Sequence, residues 1–371
     1  MSGGSGAGPV GVALIGAGVI SDQYLKALST FPDVRVLGVA DLDQERARTQ
    51  ADAYGVPHSG DVASVLALPE VEIVVNLTIP AAHAEVATAA LRAGKHVYGE
   101  KPLALAPQDG AKILAEAQEH GLRVGSAPDT FLGAGLQSAA RAVAAGLIGE
   151  PVSVTAVTQG PGPESWHPSP EFLFQRGAGP LFDIGPYYLT ALVALFGPVA
   201  RVSATARQAR QRRVIGSGPK AGTEFEVEVP THVHALLDFA GGPSTSATFS
   251  FDSSVSRRMI EITGTEGTLS VPDPNTFEGP VRVQAFGEED WRELPVTGTT
   301  AGRGIGVLDM ARALRSGGEH RASGELAQHV LELMSTVTDS AERHEVLALE
   351  SAAPRVELLP EGWEPTEATL A

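Results

Sequence analysis

Apolar and polar positions follow two different grammars along the chain, and the change comes near residue 125. Before it, short β-branched apolar runs trade places with stretches of helical periodicity. Val10-Gly11-Val12-Ala13-Leu14-Ile15 has strand length and leads into a helical stretch over residues 21–28. The pattern predicts a strand over 34–40, a helix over 46–54, a buried strand over 71–77 and a helix over 81–93 that Gly94 stops. A short strand over 96–98, a helix over 107–120 ended by Gly121, and a strand over 123–125 complete this part. Such alternation predicts parallel strands joined by crossover helices, a doubly wound sheet.

After residue 125 strands follow one another with few helices between them. A helix is expected over 136–145 and a strand over 151–158, then a Gly/Pro-rich loop that carries Trp166 and His167. Gly185 and Pro186 suit a helix start, and the helix runs apolar to Leu195 before Gly197-Pro198. Strand patterns occupy 199–205, 231–239, 245–251, 258–263, 268–271 and 281–286, and two closing helices occupy 304–314 and 324–337. Strands in series predict a mainly antiparallel sheet. The fold class expected is therefore α/β: a Rossmann-type parallel sheet, then an α/β domain with a large, mainly antiparallel open sheet.

Composition narrows the function. A chain of 371 residues suits two cores better than one. Its net charge of −17 argues against nucleic-acid or anionic-membrane partners. There is no cysteine, so thiolate and disulfide chemistry are excluded, and no metal site is expected. Residues 1–9 are Gly/Ser-rich, without the basic and apolar regions of a signal peptide, and read as a disordered tail. No apolar run has the length of a membrane span, so a cytoplasmic protein is expected.

Gly16-Ala17-Gly18-Val19-Ile20-Ser21 sits between the first strand and the first helix. In that setting Gly16 permits the tight turn, Gly18 lets the backbone approach a pyrophosphate, and the helix start supplies amide donors. The second strand ends in Asp41, at the distance where an acid meets the adenosine ribose. Asp41 repels a 2′-phosphate and Leu42 offers it no partner, so NAD is favoured over NADP. Ligands of such sheets lie at the carboxyl ends of the strands, where Thr78-Ile79-Pro80 and Gly99-Glu100-Lys101-Pro102 also fall. A lysine before proline is held out of helical angles, so Lys101 leaves the chain at a fixed bend.

Gly16-Ala17-Gly18, Asp41, His83, Gly99-Glu100-Lys101-Pro102 and Asp183-Ile184-Gly185-Pro186-Tyr187, in this order and spacing, resemble the Gfo/Idh/MocA oxidoreductases. The resemblance covers nearly the whole chain and implies an NAD-binding Rossmann domain over 10–128. It implies a substrate-binding and oligomerisation domain over 129–358 and a homodimer or homotetramer through the second sheet, while the acidic, Pro-containing residues 359–371 read as a surface tail. Lys101 would lie beside the nicotinamide, with Lys101–Pro102 a cis peptide. Tyr187 stands where most members carry His, as in members similar to glucose–fructose oxidoreductase and dihydrodiol dehydrogenase. The stretch Ala127-Pro128-Asp129-Thr130-Phe131 lacks an Arg that many relatives carry, so their substrate contacts do not transfer.

The expected activity is hydride transfer between nicotinamide and a secondary alcohol or ketone of a sugar, cyclic polyol or diol. Free Tyr and Lys titrate near ~10, and a nearby ammonium favours phenolate. Tyr187 is thus expected as general acid/base, Lys101 as its tuning charge, and Asp183, one helical turn earlier, as an orienting group on the same face. Val19, Ile20, Thr78, Pro80, His83 and Glu100 are expected at the cofactor. Trp166 and His167 are candidates for the substrate. Arg207, Arg210, Arg212, Arg213 and Lys220 read as a solvated hairpin, and His232 and His234 as sheet residues. The alternative is a noncatalytic NAD-sensing regulator on the same scaffold.

Overall fold

The computed structural model describes residues 7–370, so most of the expected tail over 1–9 lies outside the described residues. The chain forms two compact units: residues 7–134, 298–331 and 357–370 in one, 135–297 and 332–356 in the other.

The first unit begins β1 (Val10–Ile15), α1 (Val19–Leu28), β2 (Val34–Ala40), α2 (Gln44–Tyr54), β3 (His58–Gly60) and α3 (Val62–Leu66). It continues β4 (Ile73–Asn76), α4 (His83–Arg92), β5 (His96–Gly99), α5 (Pro107–His120) and β6 (Val124–Ser126). The strands pair in parallel in the order β3-β2-β1-β4-β5-β6. All six residues of β1 are buried, as the centre of a sheet covered on both faces requires. The chain order reverses between β1 and β4, which makes their carboxyl ends the switch point where such sheets bind ligands. The β3 element does not follow from hydropathy, because His58-Ser59-Gly60 contains no apolar residue, and the five-residue α3 is too short to show a helical period.

The second unit holds α6 (Ala134–Ala144) from its second residue, then β7 (Pro151–Gln159), α7 (Pro180–Asp183) and α8 (Gly185–Phe196). The strands β8 (Val199–Arg207), β9 (Arg212–Val214), β10 (Glu224–Glu226), β11 (His232–Phe239) and β12 (Ser244–Ser250) follow. After them come β13 (Arg257–Gly264), β14 (Gly267–Val271), β15 (Val281–Ala285) and β16 (Arg292–Leu294). The large sheet runs β16-β15-β14-β13-β7-β12-β11-β8, antiparallel except for the β7–β12 pair. Alternation along β11 buries Val233, Ala235, Leu237 and Phe239, the signature of a sheet with one packed face. Helix α8 covers that face, and Tyr188 meets Phe249 of β12 edge-on at 6.2 Å. The expected α/β class, a parallel sheet and a mostly antiparallel one, is what the chain forms.

The chain then returns to the first unit. Helix α9 (Ile305–Ser316) is anchored by Asp129, whose Oδ2 accepts from Gly304 N at 2.8 Å and Gly306 N at 3.1 Å. Ser126 N donates to Ala322 O at 3.0 Å. Helix α10 (Gly324–Arg343) follows, and β17 (Leu347–Ala348) adds a strand beside β8. Residues 298–331 therefore group with the first unit, whereas the sequence reading assigned them to the second. The reason lies in backbone partners far apart in sequence, which no local pattern records. Residues 357–370 also belong to the first unit: Thr369 N and Leu370 N donate to Asp33 Oδ1 at 2.8 and 2.9 Å.

Candidate active site

The turn after β1 is built as its glycines predict. Gly16 has φ +106°, and a Cβ there would lie 2.5 Å from the Leu77 carbonyl oxygen, so no larger residue fits. A Cβ at Gly18 would meet nothing within 4 Å, which leaves open space where α1 begins. Ser21, in place of a third glycine, is fully buried and donates from Oγ to Gly18 O at 2.6 Å. Asp41 reaches back to this turn: its Oδ2 accepts from Ala17 N at 2.7 Å.

The other oxygen of Asp41 accepts from Asp43 N at 2.9 Å and from Arg46 NH2 at 2.6 Å. Burial would raise the Asp41 pKa, but Arg46 and the two amides outweigh it and hold the carboxyl below its usual value. The sequence does not single out Arg46, since only Leu42, next to Asp41, bears there on a 2′-phosphate. Asp43 caps α2 by accepting from Arg46 N at 3.2 Å, and the first turn of that helix carries the guanidinium back onto Asp41. Val19, Leu42 and Ile79, at the ends of β1, β2 and β4, are 92%, 98% and 70% exposed. These are large apolar side chains in water at the edge where a dinucleotide's rings would pack.

Lys101 follows β5, and its peptide bond to Pro102 is cis. Glu100 is buried and doubly engaged: Oε1 accepts from Tyr24 Oη of α1 at 2.9 Å, and Oε2 from Lys101 N at 3.0 Å. Burial and then the Glu100 charge push the Tyr24 phenol well above its ordinary pKa, so it stays a donor. His83 starts α4 and is 2% exposed. Its Nδ1 lies 2.6 Å from Pro102 O and its Nε2 3.0 Å from Thr78 O, so either neutral tautomer donates to one of these carbonyls. The ring therefore ties the loop after β4 to the bend that carries Lys101. Thr78 Oγ1 donates to Asn76 Oδ1 at 2.6 Å, and Pro80 opens the short 3-10 turn ahead of α4. Asp129, Thr130 and Phe131 are all buried, so the stretch lacking the family's Arg serves the core.

A cavity of about 300 Å³ lies within the second unit, lined by the β7 end, the loop over 160–166 and the end of β12. Trp166 lines it and is 66% exposed, and Asp183 and Ile184 lie on its wall. His167 is not in the lining: its ring packs edge-on against Trp166 and Phe172, and its Nδ1 accepts from Ser169 N at 3.0 Å. Asp183 closes α7, and Ile184 separates it from α8, in whose first turn the buried Tyr187 lies. The two residues thus belong to two helices, not to successive turns of one, and Tyr187 is not in the cavity lining.

One residue of the expected solvated hairpin is not solvated. Arg213 of β9 is buried, ion-paired to Glu164 and Asp252, and stacked over the Phe174 ring at 5.0 Å. It also donates to Phe251 O at 3.3 Å and spans to Pro161 O at 3.5 Å, so it braces two walls of the cavity. Its charge signalled a surface residue. Its carboxylate partners lie 49 and 39 residues away.

Residues 10–127 match the family described as oxidoreductase, NAD-binding Rossmann fold, and residues 136–270 match the C-terminal domain of the same Gfo/Idh/MocA family. The chain belongs to the Gfo/Idh/MocA oxidoreductases. It is similar to inositol 2-dehydrogenase of Salmonella typhimurium, 34% identical over 32% of this chain and 34% of that one. It is also similar to trans-1,2-dihydrobenzene-1,2-diol dehydrogenase of Bos taurus, 26% identical over 76% and 79%. An NAD-binding oxidoreductase from Klebsiella pneumoniae shares the fold, with a TM-score of 0.80 at 24% identity over 92% of this chain and all of that one. The chain spans about a third of the length of the first curated relatives it matches. Among the described residues no helix is long and apolar enough to cross a membrane, and no cluster of three or more His, Asp or Glu could hold a metal.

Proposed function

We propose that this protein is an NAD-dependent dehydrogenase or reductase acting on a secondary alcohol or ketone of a sugar, cyclic polyol or diol. The observation that carries the reading is the joining of Asp41 to the fingerprint turn through Ala17 N, which presets an acid for a ribose beside the open space at Gly18. Membership in an oxidoreductase family and the dehydrogenase names of the relatives support the same class. A noncatalytic NAD sensor has no observation in its favour.

The residues of the first unit fit NAD. Gly16, Gly18, Val19 and Ile20 would hold the diphosphate end, Asp41 the ribose, and Thr78, Pro80 and Glu100 the nicotinamide end. When bound, NAD supplies the hydride acceptor or donor. His83 acts through position, since its ring holds the Pro102 carbonyl and so sets the bend from which Lys101 departs. Tyr187 is the general acid/base for the substrate oxygen. Lys101 hydrogen-bonds that oxygen and favours the phenolate through its charge, and Asp183 orients a substrate hydroxyl, with Trp166 offering an apolar ring face. His167 supports Trp166 by edge-on packing.

Residues 10–128 are proposed as the cofactor domain and, within 129–358, the second unit (135–297 and 332–356) as the source of substrate contacts and assembly. The half-buried His232 and His234 and the exposed Leu236 of β11 support a homodimer or homotetramer through the large sheet. Tyr187→Phe and Lys101→Ala test the mechanism. Each is expected to lower kcat by about a hundredfold or more with NAD affinity retained, and rates near wild type in both would overturn the roles.

A further inference from the structure

We infer that Arg258 and Asp273 form a specificity-determining pair that recognises two adjacent hydroxyl groups of a neutral substrate, away from its reacting carbon. The inference rests on the dehydrogenase reading and on Asp183 serving the reacting end. Both residues line the cavity that Asp183 lines. Ile260 of β13 stands opposite Val271 of β14, and Arg258 and Asp273 continue that antiparallel register by two residues. Their contact is long, Arg258 Nε to Asp273 Oδ2 at 3.5 Å, with the arginine side chain 73% exposed and the aspartate 20%. Asp273 is preset, because its Oδ1 accepts from Asn275 N at 3.1 Å.

The chemistry of the lining selects among substrate classes. Gln159, Ser250, Ser256 and Asn275 can each donate and accept. The charged members are two carboxylates and one guanidinium, Asp183, Asp273 and Arg258. An anionic substrate would gain the arginine but face both carboxylates. An apolar ring would desolvate an ion pair and several hydroxyls without replacing their water. A vicinal diol satisfies both members: one hydroxyl donates to Asp273 while its neighbour accepts from Arg258. A volume of about 300 Å³ is at the small end for ligand pockets and suits one polyhydroxylated ring, with Trp166 available to its face.

The test follows NADH formation with myo-inositol, D-glucose, D-glucuronate and trans-cyclohexane-1,2-diol for wild type, Arg258→Gln and Asp273→Asn. Wild type is expected to favour a neutral polyol over cyclohexanediol by about tenfold or more in kcat/KM. Each variant is expected to raise KM for that polyol by about tenfold to a hundredfold, with kcat within about twofold and cyclohexanediol turnover unchanged. Unchanged polyol KM, equal losses on polyol and cyclohexanediol, or an Arg258-dependent preference for D-glucuronate over D-glucose would overturn the pair's role. If wild type oxidises none of them, the dehydrogenase reading fails instead. Equilibrium dialysis of labelled myo-inositol and D-glucose then decides the pair: weaker binding by both variants supports it, and equal or absent binding overturns it.

Discussion

Asp41 was legible in the sequence because its distance from Gly18 follows from one strand–helix–strand unit. Arg46 was not, because only the cap and first turn of α2 bring it back onto the acid. The pair gives a sharper expectation for the cofactor. Asp41→Ala should weaken NAD binding by about tenfold or more and strengthen NADP binding, because Arg46 is released to meet a 2′-phosphate. The double variant Asp41→Ala, Arg46→Ala should lose the NADP gain. Titration of both cofactors by fluorescence checks this, and an unchanged NAD/NADP ratio in Asp41→Ala would contradict it. Asp129 carries a second expectation. Burial raises its pKa to about 6 against the pull of the Gly306 and Gly304 amides. Between about pH 4 and 6 the folded state then holds a proton that the unfolded chain has released, so this group's contribution falls as pH rises. Relative to Asp129→Asn, wild type should be about 2 kcal/mol more stable at pH 4.5 than at pH 7. Urea unfolding at both pH values measures the difference, and a constant offset would rule the shift out.

At the scale of elements, hydropathy period told most strands and helices from one another because the sheet strands are buried or alternate strictly. It failed where an element has no apolar signal, as in β3, or where a charge is buried by distant partners, as in β9. Arg213 shows the cost of such an arrangement. Arg213→Met should remove the partner of the mostly buried Glu164 and Asp252 and destabilise the second unit by about 3–5 kcal/mol. Guanidinium unfolding followed by tryptophan fluorescence reads this, and a loss below about 1 kcal/mol would mean the carboxylates find water. The break at Ile184 was equally hidden, since Asp183 through Tyr187 fits a single helix by spacing alone.

At the scale of the whole chain, the sequence suggests one boundary near residue 128, and the contacts divide the chain differently. The first unit is closed by segments from the far end: Arg312 donates to Asp33 Oδ2 at 2.8 Å and stacks on Trp363 at 4.7 Å, and Leu359 is buried. Deleting residues 357–371 would leave the fully buried Asp33 without its Thr369 and Leu370 donors. The expected loss is at least about 2 kcal/mol, a fall in melting temperature of about 4–8 °C, and calorimetry showing no shift would count against the tail's part in this unit. The family was legible at this scale through motif order, whereas the pairing of Arg258 with Asp273 on the cavity wall was not. Those two residues meet only through strand register. The proposed activity is hydride transfer between NAD and a polyol-type alcohol. The most direct measurement is NADH absorbance with a panel of sugars, inositols and diols, run with NAD and NADP in parallel. Steady NADH formation is expected on at least one neutral polyol, with NAD preferred. Binding of NAD without turnover on any member of the panel would contradict it.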